Sequence, residues 1–313
     1  MKVKVFIDGS SGTTGLRIAD RLAERPEIEL LSISAEGRKD VHERAKVINS
    51  ADLAFLCLPD AASKEVMPLL RPDVKVLDTS TAFRTDAAWD YGFPELKGQK
   101  AKIQNSYRVA VPGCYASGFI SIARPLVELG LAPADYPFSC TGISGYSGGG
   151  KKMIAEYESA DRPAHSKLDA PKSYGLGLAH KHLPEMQKIS GLAHTPAFVP
   201  VVCDYYSGMQ VLVPLDLKLA GTSAEAVAAG IADYYKEGAT VSVHALNEPL
   251  PENGLYSNAL SGSDRMELYM TVNAAGDQMM LVSLFDNLGK GSSGAAIQCM
   301  NLMLGMNETE GLE

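Results

Sequence analysis

Apolar and polar positions alternate from the first residues of the chain. "KVKVFID" reads as a strand with every second side chain turned inward, and "TGLRIADRLAER" spaces its apolar residues as a helix does. The two periods then take turns. "EIELLSISA", "DLAFLCLP" and "DVKVLDTS" read as strands, separated by the helical "VHERAKVINSA" and "AASKEVMPLL". Strand and helix at this rhythm predict an α/β fold with a Rossmann-type, doubly wound parallel sheet.

The texture changes after Cys114. "YASGFISIARPLVELG" predicts a helix ending at Gly130, and strands are expected at 137–145, 209–219, 239–245, 265–273 and 279–286. With a helix over 223–238, this predicts an α+β region built on a mixed or antiparallel sheet. Segment 145–180 is rich in Gly and Pro, lacks a period and predicts loops, whereas "GAAIQCMNLMLGM" predicts a terminal helix with a broad apolar stripe.

Bulk properties narrow the function classes. A chain of 313 residues suits two domains. Its net charge of −8 argues against nucleic acid as a partner, because phosphate backbones call for a basic face. No apolar run reaches the roughly 20 residues that cross a bilayer, so no membrane partner is expected. "MKVKVFIDG" lacks the features of a signal peptide, and the five cysteines (57, 114, 140, 203 and 299) are scattered without CxxC spacing. Reduced thiols in the cytoplasm and no metal site are the expectation.

Candidate chemistry starts at the end of the first strand. "GSSGTTG" places Gly9, Gly12 and Gly15 between a strand and a helix, with hydroxyls on Ser10, Ser11, Thr13 and Thr14. In that setting glycines let backbone N–H groups approach a pyrophosphate at the positive end of a helix. After the second strand comes "AEGRKD". Glu36 there suits a ribose diol, whereas Arg38 and Lys39 suit a 2′-phosphate; two cations beside one acid favour NADP.

Cys114 follows Pro112 and Gly113 and precedes a predicted helix, where unpaired N–H groups stabilise a thiolate. The stretch alone fits a buried core thiol equally well. Cys57 and Cys299 lie in apolar segments and read as core. A proton acceptor is offered by "LAHKHLPEM", with His180, His182 and Glu185 ahead of a helix that Pro184 can start. Two clusters suit anions: "DTSTAFR" with Ser80, Thr81 and Arg84, and "SGYSGGGKK" with Ser144, Tyr146, Ser147 and Gly148.

Taken in order, "GSSGTTG", "LCLPDAASKE", "DTSTAFR", "YGFPEL", "PGCY", "SGYSGGGKKM", "HKHLPEM" and "DNLGKGSSGAAIQCMN" resemble the N-acetyl-γ-glutamyl-phosphate reductases, in the shorter class related to aspartate-semialdehyde dehydrogenases. The resemblance spans nearly the whole chain. It implies NADPH-dependent reduction of an acyl phosphate to a semialdehyde and inorganic phosphate through a cysteine thioester. It makes Cys114 the nucleophile and His180 the acid/base, acting as imidazolium, with His182 and Glu185 in support. It places Gly9, Ser11, Gly12, Thr13, Thr14, Gly15, Arg38, Cys57 and Pro59 at the cofactor, with Asn287, Lys290 and Gly291 of "DNLGKG" near the nicotinamide. Ser80, Arg84, Ser144, Tyr146, Ser147 and Gly148 fall to substrate or phosphate.

The resemblance further implies a cofactor domain formed by 1–114 and 286–313, a catalytic and oligomerisation domain over 115–285, and a homodimer or homotetramer. Two departures stand beside the cysteine, Val111 and Ala116, where relatives commonly carry Asn and Pro. Aspartyl or aminoadipyl phosphate are alternative substrates, and a non-catalytic NADP-binding redox sensor is the alternative of a different class.

Overall fold

The structure, a computed structural model, describes residues 2–313, and the chain divides into two units. The first comprises residues up to Pro94, Gly98–Pro112 and Ser292–Leu312; the second comprises Glu95–Lys97, Gly113–Gly291 and Glu313.

Six strands form the sheet of the first unit: β1 (Val3–Asp8), β2 (Ile28–Leu31), β3 (Leu53–Leu56), β4 (Lys75–Asp78), β5 (Asp90–Tyr91) and β6 (Arg108–Ala110). They run in the order β2-β1-β3-β4-β6-β5, and every pairing is parallel. Helices α1 (Thr13–Ala23), α2 (Val41–Asn49), α3 (Asp60–Val66) and α4 (Gln99–Asn105) make the crossovers. Successive side chains of a strand point to opposite faces, and the core follows that rule. Val5 and Ile7 of β1 join Ile18 and Leu22 on one face, while Phe6 joins Ala45, Ile48 and Val66 on the other. Strands buried on both faces read as continuous apolar runs, as "LAFL" of β3 does.

The second unit opens with α5 (Cys114–Glu128) and continues through β7 (Ser139–Gly145), α6 (Gly150–Tyr157), β8 (Lys172–Ser173), α7 (Leu183–Ser190), β9 (Ala197–Cys203) and β10 (Met209–Asp216). It is completed by α8 (Leu217–Ala220), α9 (Ala224–Tyr235), β11 (Val241–Val243), β12 (Met266–Val272) and β13 (Gln278–Phe285). Its seven-stranded sheet, ordered β11-β12-β13-β10-β7-β9-β8, is mixed: β11–β12 and β7–β9 pair in parallel and the other neighbours antiparallel. Helix α5 packs on β10 and β13 and meets α7 and α9 at its sides. The chain then returns to the first unit as α10 (Gly294–Met303), whose residues are all buried and whose Ile297 and Met300 join the layer of Val5 and Ile7.

Three segments differ from their expected form. Residues 150–157 are helical despite the glycine run before them. β9 carries Pro200 in its middle, which masks the strand pattern. The strand expected to reach 219 stops at Asp216, whose carboxylate accepts from Leu219 N and caps α8. Among the described residues no helix is long and apolar enough to cross a membrane.

Candidate active site

Cys114 is the first residue of α5. Gly113 caps this helix without a side-chain hydrogen bond, and the first turn holds no acid. The N–H groups and dipole of the helix therefore remain available to a negative sulfur. Its surroundings set it apart from the other cysteines. Packing pushes the Cys57 thiol up to about 12, burial raises Cys140 and Cys203, and Cys299 is buried beside the Gly92 carbonyl. Cys114 is half-buried, and no disulfide joins any of the five.

Glu185 belongs to α7, yet its partner is the turn before Cys114: its Oε1 accepts from Gly113 N at 2.9 Å, with both groups buried. Glu185 thus holds the backbone directly beside the thiol. The histidine pair is arranged by the α7 entry. His182 is buried and occupies the cap position, and its backbone N–H donates to His180 Nδ1 at 3.2 Å. Nδ1 as acceptor leaves the proton of the neutral ring on Nε2.

Aromatic rings wall His180. Its ring meets those of Tyr115, Tyr174 and Phe198 edge-on at centroid distances of 5.9, 5.9 and 5.2 Å. Burial, with Lys181 as a smaller contribution, lowers the His180 pKa from 6.5. Burial thus favours the uncharged ring. The phenols of Tyr115 and Tyr174 lie 3.4 Å apart. Both titrate above the ordinary range, through burial first and through the nearby Cys114 charge among the smaller causes. Tyr174 carries no motif in the sequence and was missed there.

The loop after β7 is fixed from β13. Asn287 Nδ2 donates to Ser147 Oγ at 3.0 Å, and its Oδ1 accepts from Gly208 N at 2.9 Å. Thus Asn287, expected at the cofactor, and Ser147, expected at the substrate, form one buried link. Gly148 is adjacent, with Ser144 Oγ and Asn287 Nδ2 as its nearest side-chain neighbours. The Ser144 hydroxyl donates to the Gly145 carbonyl, and Tyr146 stacks on Tyr157 at 4.7 Å while its hydroxyl donates to Glu158. The Lys290 ammonium donates to Glu95 Oε2 at 2.7 Å, in a pair whose side chains are 2% and 1% exposed. Gly291 packs its backbone on Cys114, since a Cβ there would stand 3.0 Å from the Cys114 Cβ.

In the first unit, the glycine turn is tightly built. Gly9 adopts φ +94°, and a Cβ on it would stand 2.8 Å from the Cys57 carbonyl oxygen. A Cβ on Gly15 would stand 2.4 Å from the Gly9 carbonyl oxygen, so α1 seats directly on the turn. At Gly12 the nearest atom is 3.4 Å away, which leaves room for a close approach. Gly12 caps α1 without a side-chain bond, and Thr13 and Thr14 open the helix. The Thr14 and Ser292 hydroxyls pair at 3.1 Å. Asp8, missed in the sequence, closes β1 in a buried pair with Arg44 at 2.7 Å. Beside the turn lies a cavity of about 220 Å³ lined by Ser10, Leu30, Ser32, Ile33 and Arg38. Arg38 lines it and Glu36 does not; Ser11 and Pro59 are absent from that lining as well.

At the carboxyl end of β4, Ser80 bonds Asp78 and Thr81 bonds Asp60. Arg84 donates from Nε to the Val111 carbonyl at 2.9 Å and from an Nη to the Thr79 carbonyl at 3.0 Å, and it is buried. These bonds shape the loop that follows β4. Val111 is a core residue whose backbone also bonds Asp78. Val111 thus serves the packing of the first unit.

Residues 4–104 match the family model for the semialdehyde dehydrogenase NAD binding domain, and 114–287 match the semialdehyde dehydrogenase dimerisation domain. The chain is 45% identical over 320 residues to N-acetyl-gamma-glutamyl-phosphate reductase of Trichormus variabilis, covering 99% of each chain. It is 46% identical over 314 residues to the protein of that name from Chelativorans sp., covering 97% of this chain and 99% of the other. Among solved structures, aspartate semialdehyde dehydrogenase from Francisella tularensis superposes with a TM-score of 0.71 at 15% identity, over 96% of this chain and 100% of the other. Aspartate semialdehyde dehydrogenase II from Vibrio cholerae gives 0.67 at 18%, over 97% and 99%. At such identities these two establish the shared fold.

Proposed function

The chain belongs to the N-acetyl-γ-glutamyl-phosphate reductases of the semialdehyde dehydrogenase family, and we propose how its residues divide the work of that reaction. The protein reduces N-acetyl-γ-glutamyl phosphate to N-acetylglutamate 5-semialdehyde and phosphate with NADPH, a step of arginine biosynthesis. The placement of Cys114 at the uncapped start of α5 carries the proposal for its chemistry.

The Cys114 thiolate attacks the acyl carbon. A C–S bond forms, the carbonyl electron pair moves onto oxygen and returns, and the bond from the acyl carbon to the bridging phosphate oxygen breaks. Phosphate leaves and takes its proton from solvent, and a thioester remains on Cys114. NADPH, when bound, supplies the hydride that reduces this thioester. His180 donates a hydrogen bond from Nε2 to the oxyanion that develops at the same carbon in both steps. A neutral ring suffices, because collapse of the second oxyanion breaks the C–S bond and regenerates the thiolate without a net proton. Glu185 fixes the turn before Cys114, and Tyr115, Tyr174 and Phe198 keep water from His180.

The backbone of Gly12–Gly15 fits the pyrophosphate, with Ser10, Thr13 and Thr14 beside it, and Arg38 fits the 2′-phosphate of NADP. The Ser147–Asn287 link shapes the loop that receives the substrate phosphate. A family model described as a dimerisation domain supports a homodimer or homotetramer, and five thiols without a disulfide fit a reducing cytoplasm.

Incubation with phosphate and the N-acetylglutamate, aspartate or aminoadipate semialdehyde, with NADP or NAD, tests the reading at 340 nm. Cofactor reduction is expected with the first semialdehyde and NADP. Preference for another semialdehyde contradicts the substrate, and preference for NAD contradicts the role of Arg38.

A further inference from the structure

We infer that Glu95 and Lys290 are positioning residues for the nucleophile: their buried ion pair holds the backbone turn that packs against Cys114. The inference rests on the assignment of Cys114 as nucleophile. The turn is Gly289–Ser293, a single π-helical stretch, and such stretches are rare and concentrate at functional sites. Its wide register is visible in the bond from Gly291 N to the Asp286 carbonyl, five residues back, at 2.9 Å. That register presents Gly291 to Cys114 at a distance where a side chain would collide with the Cys114 Cβ.

The turn is held at two points. On one side Asp286, fully buried, accepts from Gly262 N and from Leu288 N. On the other, Lys290 reaches Glu95, whose second oxygen accepts from the Thr240 hydroxyl at 2.6 Å. Glu95 comes from "YGFPEL" in the first third of the sequence, yet its short segment Glu95–Lys97 is part of the second unit. An ammonium and a carboxylate this far from water are ill suited to a role in bulk stability, because desolvation offsets most of their attraction. They are well suited to fix one geometry, since the pair is short and shielded from water. Lys290 sits one residue before the glycine on Cys114, so any shift of its Cα moves the wall that limits the thiol's rotamers.

The test uses the full-length protein carrying Glu95→Gln, Lys290→Met, or both. Either single change strands a buried charge and can unfold the chain, so the double variant decides. Its melting temperature and circular dichroism report the folded fraction, and alkylation of Cys114 by iodoacetamide, followed by mass spectrometry, reports an intact thiol. For folded double variant we expect kcat with N-acetylglutamate semialdehyde, NADP and phosphate to fall by about 10- to 100-fold, as misplacement of reacting groups does. The semialdehyde KM should stay within about threefold of the parent, while the Cys114 alkylation rate should differ from it by more than about threefold. Parent-like kcat, a loss no larger than the loss of folded protein, or a double variant that cannot fold overturns the positioning role. Alkylation needs no substrate. A parent protein that alkylates at Cys114 yet reduces no cofactor therefore indicts the substrate assignment and leaves the positioning role to be read from Cys114 alkylation in the variants: a rate differing from the parent by more than about threefold supports it, and an equal rate overturns it.

Discussion

Glu185 and Gly113 are 72 positions apart in sequence and meet through one buried hydrogen bond, carboxylate oxygen to backbone N–H, at 2.9 Å. Gly113 directly precedes Cys114, so the acid of the HKHLPE motif acts on the backbone beside that thiol. Glu185→Ala leaves a buried N–H without its acceptor, which costs about 1–3 kcal/mol. A lowered melting temperature is expected together with a kcat loss larger than the loss of folded protein. Glu185→Gln keeps an oxygen acceptor and should recover most of the stability. An alanine variant with parental melting temperature and kcat contradicts the role.

The glycine turn makes a paired prediction. Gly15→Ala drives a methyl group onto the Gly9 carbonyl at 2.4 Å, a clash with backbone that helix propensity, about 1 kcal/mol in favour of alanine, does not offset. Loss of melting temperature and weakened NADP binding are expected together. Gly12→Ala meets only an ordinary contact at 3.4 Å, so stability should hold while the NADP dissociation constant, read by fluorescence titration, rises. Equal effects of the two on stability contradict the separation of packing from ligand approach.

Arg38→Ala should raise KM for NADPH by about 10- to 100-fold, the worth of a charge-assisted hydrogen bond, and leave KM for NADH nearly unchanged. Steady-state kinetics with both cofactors checks this. A parallel change in both KM values removes Arg38 from the 2′-phosphate.

His180 makes a pH prediction. Its folded pKa lies below the 6.5 of the free group because burial disfavours the charged ring. Folding therefore favours the neutral form. The contribution to stability is fully present above the unfolded pKa and is lost as pH falls through the folded one. Melting temperature measured from pH 7.5 down to 5.5 should fall more steeply for the parent than for His180→Asn. The same variant should turn over about 10²–10⁴-fold more slowly at neutral pH. Parallel pH curves contradict a half-buried His180 that folding keeps neutral.

Much of this molecule is legible in its sequence where one residue's neighbours in space are also its neighbours in the chain. β1 through β4 and α1 show themselves by period, and Gly9, Gly12 and Gly15 by their place between strand and helix. β9 does not, because Pro200 interrupts its pattern, and β5 and β6 are too short for a period to register. The same division runs through the site. Cys114 and the His180–His182 pair are local signals. That Glu185 holds Gly113, that Asn287 holds Ser147 and that Lys290 reaches Glu95 are tertiary facts, set by which strand ends the fold brings side by side. A polar residue in a motif states that it has a partner and leaves the partner unnamed.

The covalent role of Cys114 is the centre of the account, and one measurement reaches it directly. Enzyme mixed rapidly with N-acetylglutamate semialdehyde and NADP, with phosphate left out, should release a burst of NADPH stoichiometric with active sites and then stall. Quenched at that point and digested, the peptide containing Cys114 should carry the N-acetylglutamyl group as a thioester, and the Cys114→Ser variant should show neither burst nor adduct. A burst without an adduct on Cys114, or an adduct on another residue, contradicts the account.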